Sequence, residues 1–380
     1  MNAGLKIVLF ADYGSMGGTR TYFKQLLGLY AEMHACVTIL ITYDDEDIEI
    51  DQLCNFYGFK CIKISSIVKK NTFQGRLPFR HLVEKYLFKN FLTSIDADIV
   101  VASVGNPEQF LGAISNASKA IYILHTYPEV NVGNTKRFLK GLFFKYLLSN
   151  NIKVLTVSKF SKIRILQAWG LSKHACNVEY VYSTMGELVI DKVLKSKDQF
   201  HVLTLGHVVA YKNPDAWINI AILARQAEPL LDIRFTWVGD GDLLKKCQEK
   251  IENLGAQSYI RFVGRDDDVA KYYVQCDIYV QPSLIENLGL SALDAMRYGK
   301  PCVVANTGGL PELIRNGETG WVVDVNSPKA MAEKICLLAG DPILCEKLGL
   351  AAMKLYQEKF TMIKWKQQMI HYHHDISNAL

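Results

Sequence analysis

One stretch of this 380-residue chain concentrates side chains that could bind and transform a ligand. Ser283-Leu284-Ile285-Glu286-Asn287-Leu288-Gly289-Leu290-Ser291-Ala292-Leu293-Asp294-Ala295-Met296 follows a short apolar run, Ile278–Gln281, and enters a helical pattern near Leu288. Glu286 then stands on the loop at the helix mouth, and Asp294, eight residues on, lies inside the helix. A helix starting here would aim unpaired N–H groups at an anion. The two carboxylates beside it would accept hydrogen bonds from hydroxyl groups. A sugar, a diphosphate and a ribose together present that mixture of groups. Taken alone, the plainer alternative is a capping Glu and a solvated helical Asp.

Three other turns could face a ligand. In Tyr13-Gly14-Ser15-Met16-Gly17-Gly18-Thr19 a strand ends and a helix begins. Gly17 and Gly18 allow a close backbone approach, and Thr19 can cap a helix whose N-terminus favours phosphate. The spacing is not G-x-G-x-x-G, so the dinucleotide fingerprint is missing. The segment Gly206-His207-Val208-Val209-Ala210-Tyr211-Lys212-Asn213 also joins a strand to a helix. Lys212 would reach the mouth of a cleft where open α/β sheets bind their ligands; a loop lysine by itself is ordinarily solvated. Val238-Gly239-Asp240-Gly241-Asp242 contains a D-x-D pair, but its turn residues and the helix behind it favour a cap over a metal site.

These loops need elements to carry them. Lys6–Ala11, Cys36–Thr42, Lys60–Ile64, Ile99–Ser103, Ala120–Leu124 and Lys153–Ser158 read as strands at βα spacing, with a helix over Gly17–Met33. Asp191–Phe200 is polar and reads as a linker. The rhythm then restarts with His201–Gly206, Ile233–Val238, Tyr259–Val263, Ile278–Gln281, Pro301–Ala305 and Gly320–Val323. Strands alternating with helices imply parallel sheets covered on both faces. The fold class is therefore α/β. The expected organisation is a domain over 1–190, a second over 191–360, and a C-terminal helix over 361–380 that packs across the boundary.

Composition agrees with a folded chain: 49% apolar and 21% charged residues exclude disorder as the main state. The nine cysteines form no C-x-x-C pair and read as buried thiols in a reducing compartment. Neither a signal peptide nor an apolar run of ~18 residues is visible, so no transmembrane helix is expected. The net charge is +5, yet residues 60–164 hold 17 Lys/Arg against 5 Asp/Glu, leaving −7 for the remainder. That basic half suggests an anionic bilayer or lipid-linked ligand, and the aromatic stretch Lys136–Tyr146 reads equally as a helix lying on such a surface or as a core-facing helix with a solvated basic edge. No nucleic-acid reading module accompanies it, so nucleic acid is not expected as a partner.

At this point a resemblance is plain. The chain is similar to the family 4 glycosyltransferases, retaining enzymes of the GT-B fold. Gly17-Gly18 resembles the family's N-terminal glycine pair, and Val157-Ser158-Lys159-Phe160-Ser161-Lys162 the strand-to-helix segment closing the first domain. Lys212 matches the lysine after the first strand of the second domain. Glu286 and Asp294 match E-x7-E, continued by Ala295-Met296 and Gly299-Lys300-Pro301. Gly308-Gly309-Leu310-Pro311-Glu312-Leu313 and Asn316-Gly317-Glu318-Thr319-Gly320 resemble the closing stretch.

The resemblance implies two Rossmann-like domains facing a central cleft and transfer of a hexose or N-acetylhexosamine from a UDP- or GDP-sugar. The acceptor would be a glycan or a lipid-linked glycan, as in cell-surface polysaccharide or lipopolysaccharide O-antigen synthesis. It places the enzyme in the cytoplasm, at the inner face of the membrane, with no cofactor and no metal. By position, His125, Lys212 and Glu286 would be catalytic. Lys212 would bind the diphosphate, Glu286 the sugar hydroxyls, and the backbone of Asn287, Leu288, Gly289 and Leu290 the sugar and distal phosphate. Asp294 would hold the ribose, Val263, Gly264 and Arg265 the base, and Gly17 and Gly18 the diphosphate. His207 stands where the family has Arg, which removes about one positive charge at neutral pH; Arg20 or Arg265 are the candidates to replace it. The competing readings are a catalytically weak or silent nucleotide- or glycan-binding protein and, further off, an NAD-dependent oxidoreductase.

Overall fold

The computed structural model describes residues 4–11, 18–41, 48–63, 80–105, 110–127, 141–142, 144, 152–172, 177–186 and 199–378. It divides into two compact units, Met1–Ser183 with Trp365–Leu380, and Thr184–Lys364.

The first unit is built on seven parallel strands: β1 (Lys6–Ala11), β2 (Cys36–Ile41), β3 (Lys60–Lys63), β4 (Ile99–Val104), β5 (Ala120–Leu124), β6 (Ile152–Thr156) and β7 (Val178–Tyr180). Their order is β3-β2-β1-β4-β5-β6-β7, with Ile7 beside Val37 on one side and Ile99 on the other. Central strands with helices on both faces must be apolar almost throughout, and Ile99–Val104 and Ala120–Leu124 are buried at every position. Val8, Phe10, Phe88, Phe110 and Tyr122 form the core on one side. The Phe10 and Phe88 rings meet edge to face at 5.3 Å.

The helix Gly18–Glu32 buries Tyr22, Phe23, Leu26, Leu27, Leu29 and Tyr30, the spacing of one helical face. The helix Lys159–Ala168 begins at Ser158, whose extended backbone and side-chain oxygen, 3.0 Å from the Ser161 N–H, make an N-cap. The C-terminal helix Met362–Asn378 returns the chain to this unit. Its Trp365, Met369, His373 and Ile376 recur at helical spacing and are buried. Tyr22 receives Trp365 edge to face at 5.3 Å, and Tyr30 hydrogen-bonds His373 Nε2 at 3.2 Å.

The second unit repeats the architecture with six parallel strands: β8 (Phe200–Leu205), β9 (Ile233–Val238), β10 (Ile260–Gly264), β11 (Ile278–Gln281), β12 (Cys302–Ala305) and β13 (Gly320–Val323). The order β10-β9-β8-β11-β12-β13 reverses direction between β8 and β11. Trp217, Trp237, Phe235 and Phe262 pack the core, with Trp217 and Trp237 at 5.3 Å and Trp237 stacked on Phe262 at 5.6 Å.

Several boundaries differ from the sequence reading. Phe200, expected in the linker, is already paired with Ile233 in β8, and Asp191–Lys197 and the neighbouring Asp198 lie outside the described residues. The short edge strand β7 was not expected: its three residues fall below the length at which alternation becomes a signal. The helix after Glu286 starts at Leu290, not near Leu288, because Gly289 has a left-handed backbone (φ 99°) that no helix continues through. Among the described residues, no helix is long and apolar enough to cross a membrane. Most of Lys136–Tyr146 lies outside the described residues.

Candidate functional site

In the second unit three strand-to-helix loops, after β8, β11 and β12, are tied together, and Glu286 stands where they meet. Beyond β8 the chain passes through Gly206 (φ 145°), whose carbonyl accepts the Trp237 indole N–H at 2.8 Å. A single 3-10 turn, Ala210–Lys212, follows. Asn213 then takes a left-handed backbone (φ 61°) and Pro214 opens the helix Pro214–Ala227, a sequence suited to a sharp helix entry. Two hydrogen bonds fasten this loop to the one after β11. The Leu284 N–H donates to the Tyr211 carbonyl at 2.8 Å, and Asn213 Nδ2 to the Pro282 carbonyl at 3.2 Å.

From the third loop, Thr307 Oγ1 donates to the Ser283 carbonyl at 2.7 Å and the Gly309 N–H to the Glu286 carbonyl at 3.3 Å. Gly308 and Gly309 press directly on this backbone. A Cβ on Gly308 would collide with the Glu286 carbonyl, and one on Gly309 with the Asn287 carbonyl. Two adjacent glycines are therefore a packing requirement of the Glu286 loop.

The consequence is a direct ion pair between the Lys212 ammonium and Glu286 Oε2, with 18% and 13% of the two side chains exposed. Gln281 Nε2 donates to the same oxygen at 2.5 Å, and the Asn287 N–H to Oε1 at 3.2 Å. Lys212 also lies 5.6 Å from the Tyr211 ring centre. Both charges project from the carboxyl ends of β8 and β11, the strands that flank the order reversal, where open α/β sheets hold ligands. An ammonium here can neutralise phosphate oxygens, and a carboxylate can accept from sugar hydroxyls. Without a ligand the two satisfy each other.

The other sequence-expected residues fall into different settings. Asp294 is buried, and its Oδ1 lies 2.6 Å from Arg297 Nη2 one turn on, as an ion pair. Burial raises its carboxyl to about 6, against the opposing pull of Arg297. His207 is exposed. The two arginines considered as its substitutes are both engaged, Arg20 with Glu49 in the first unit and Arg265 with Asp267 at 3.0 Å in the second. Val263 and Gly264 end β10, where Gly264 (φ 85°) accepts from the Gly239 N–H at 2.8 Å. Leu288 is buried, and Asn287 and Leu290 are half-buried. Asp240 caps its own turn, its Oδ1 accepting from the Gly241 N–H at 2.7 Å.

His125 belongs to the first unit. It follows β5 directly, is 8% exposed, and places Nε2 2.9 Å from Ser103 Oγ, with the Tyr22 ring edge-on at 4.7 Å. Burial pushes its pKa down to about 4, so the ring is neutral. Gly18 opens the helix that carries Tyr22; Gly17 lies outside the described residues. The sequence reading missed Gln281 and Asn213. The available signal for Gln281 was one amide at the end of an otherwise apolar strand.

Comparison with known proteins gives this geometry a context. Residues 187–355 match the family model described as glycosyl transferases group 1. An uncharacterized glycosyltransferase of Methanocaldococcus jannaschii is 25% identical over 93% of each chain. Among solved structures, a glycosyltransferase from Rickettsia africae superposes with a TM-score of 0.80 at 20% identity, covering 99% of both chains. The Anabaena protein HepE, solved with UDP and glucose, does so at 0.74 and 18% identity, covering 98% of this chain and all of that one. The fold is GT-B, two Rossmann-like α/β units, and the matched model and relatives support a glycosyltransferase.

Proposed function

We propose that the chain is a retaining, family 4 glycosyltransferase that moves a hexose or N-acetylhexosamine from a UDP- or GDP-sugar to a glycan or lipid-linked acceptor. The observation that carries this reading is the meeting of Lys212 and Glu286 on the loops that leave β8 and β11. As the bond from sugar to nucleotide breaks, negative charge grows on the departing diphosphate. Lys212 stabilises it, and preorganised charge of this sort is commonly the largest catalytic contribution. Glu286 holds the hydroxyls of the transferred sugar. The acceptor attacks the face from which the nucleotide leaves, and the leaving phosphate takes the acceptor proton, so configuration is retained without a protein nucleophile. No metal is needed when the protein supplies the positive charge. The neutral His125 suits hydrogen bonding to a donor sugar and not charge stabilisation. The setting would be surface polysaccharide or lipopolysaccharide O-antigen synthesis at the cytoplasmic side of the membrane.

A panel of UDP-, GDP-, ADP- and dTDP-sugars, screened for thermal stabilisation and for release of the nucleoside diphosphate, tests the reading. At least one member should do both. If none raises the melting temperature or is turned over, the assignment fails. One observation favours a second reading, a weak or silent nucleotide-sugar binder: His207 replaces an arginine, and Arg20 and Arg265 are paired elsewhere. Stabilisation without release would select it.

A further inference from the structure

Strand β11 is buried along its whole length, where an apolar side chain is the rule. Its last residue is nevertheless Gln281, only 3% exposed. A buried amide is tolerated when its hydrogen bonds are made, and those of Gln281 are made with a fixed polarity. On one side, Nε2 donates to Glu286 Oε2 at 2.5 Å and to Ser283 Oγ at 3.2 Å. On the other, Oε1 faces the Tyr279 hydroxyl at 3.3 Å, which also lies 3.2 Å from the Leu205 carbonyl. Tyr279 is itself fully buried in the sheet. Turning the amide over would set an oxygen against the carboxylate, whereas the Tyr279 hydroxyl, with the Leu205 carbonyl as an alternative acceptor for its proton, can meet either end of the amide. The amino group must therefore point at Glu286.

Glu286 Oε2 thus receives an ammonium and an amide. On the donor-site reading proposed above, on which this step rests, Lys212 is the group that a diphosphate claims. Once it turns to phosphate, Glu286 loses its counter-charge. We infer that Gln281, held within the sheet beside Tyr279, is a positioning residue that keeps the Glu286 carboxylate aimed at the transferred sugar after Lys212 has engaged the diphosphate. The two partners of Glu286 Oε2 then have separate tasks: the ammonium serves catalysis, and the buried amide maintains geometry.

The experiment compares full-length Gln281→Leu, Gln281→Glu and Glu286→Gln with the wild-type chain. The substrate is whichever of UDP-glucose, UDP-N-acetylglucosamine and GDP-mannose the wild type turns over fastest, and UDP or GDP is the binding probe. Gln281→Leu should bind the nucleoside diphosphate within about 2-fold of wild type and lose about 10-fold or more in kcat with little change in KM. In Gln281→Glu a protonated carboxyl can donate as the amide does, whereas an ionised one repels Glu286. Its turnover should approach wild type at the acid end and fall as pH rises, over a range where wild type is level. A role confined to stability would lower turnover equally at every pH.

Unchanged kcat in Gln281→Leu, or a pH-independent defect in Gln281→Glu, overturns the inference. Should Gln281→Leu fail to fold, the near-isosteric Gln281→Glu decides by itself. Glu286→Gln separates the two levels of the argument. If it is inactive while the Gln281 variants are unimpaired, only the positioning role is lost. If it retains full turnover, or if wild type neither binds UDP or GDP nor turns over any of the three sugars, the donor-site reading falls first.

Discussion

At the residue scale, the proposed function rests on two opposite charges that meet on neighbouring loops of the second unit. Lys212 and Glu286 come from loops 74 positions apart in sequence and form a half-buried ion pair. Removing one partner strands the other, so both single variants lose more than one contact. Lys212→Ala and Glu286→Ala should each reduce turnover by at least about 100-fold, the scale set by loss of one preorganised charge donor. Circular dichroism should show an intact fold in both. Near-normal turnover in either would remove that residue from the site. Asp294 contributes differently: its carboxylate is buried against Arg297 and so is organised by the protein.

At the element scale, loops and helix faces decide whether those residues are held. Gly308 has φ 59°, and a side chain there would strike the Glu286 carbonyl. Gly308→Ala should therefore cost about 1–3 kcal/mol in overpacking alone and displace the Glu286 loop. The expected result is a lower melting temperature together with a turnover loss resembling that of Glu286→Ala. Wild-type values for both would show that the loop yields freely. A second element-scale property is acid sensitivity. His373 sits within the packed face of the C-terminal helix, donates through Nδ1–H to the Met369 carbonyl at 2.7 Å, and is held neutral to about pH 4 by burial. In the unfolded chain it titrates near 6.5. Between those values the unfolded state takes up the proton first, so stability is full above pH 6.5 and falls as pH drops towards 4. His125 adds a contribution of the same sign, since its pKa is also lowered to about 4. Urea melts at pH 7 and 4.5 should differ by a few kcal/mol in wild type and by less in His373→Gln. An equal loss in both would dissociate His373 from the effect.

At the scale of the whole molecule, the chain builds one unit from a single stretch and the other from two. Trp365, Met369, His373 and Ile376 are buried in the first unit although they follow the second in sequence. Each large side chain is worth about 1.5–3 kcal/mol, so together they approach the 5–15 kcal/mol that holds a typical domain. A chain ending at Lys364 should lose the calorimetric transition of the first unit and keep that of Thr184–Lys364. Retention of both transitions would show the C-terminal helix to be dispensable. Charge also belongs to this scale. The excess of 17 Lys/Arg over 5 Asp/Glu in residues 60–164 should draw the protein to anionic vesicles in a flotation assay, with release as salt rises. Absence of salt-sensitive flotation would end the membrane proposal.

The sequence by itself determined the alternation of strands and helices and the two-unit α/β class, and it singled out Lys212 and Glu286 as candidates. Those features are local: β-branched runs, helical periodicity and short motifs are written within a few residues of one another. The strand ranges Lys6–Ala11, Ala120–Leu124, Ile233–Val238, Ile278–Gln281 and Gly320–Val323 follow from such runs without adjustment. Only the tertiary structure decided the strand order, the start of the helix at Leu290, the partner of Asp294 and the hydrogen bonds of Gln281. Order depends on which strands pair across long separations. The helix start depends on a positive φ at Gly289, which glycine permits without requiring. Gln281 read as the polar end of an apolar strand, since its meaning lies in the Tyr279 hydroxyl on one side and the Glu286 carboxylate on the other. A hydrogen-bond direction is a property of three-dimensional neighbours, and linear spacing does not encode it.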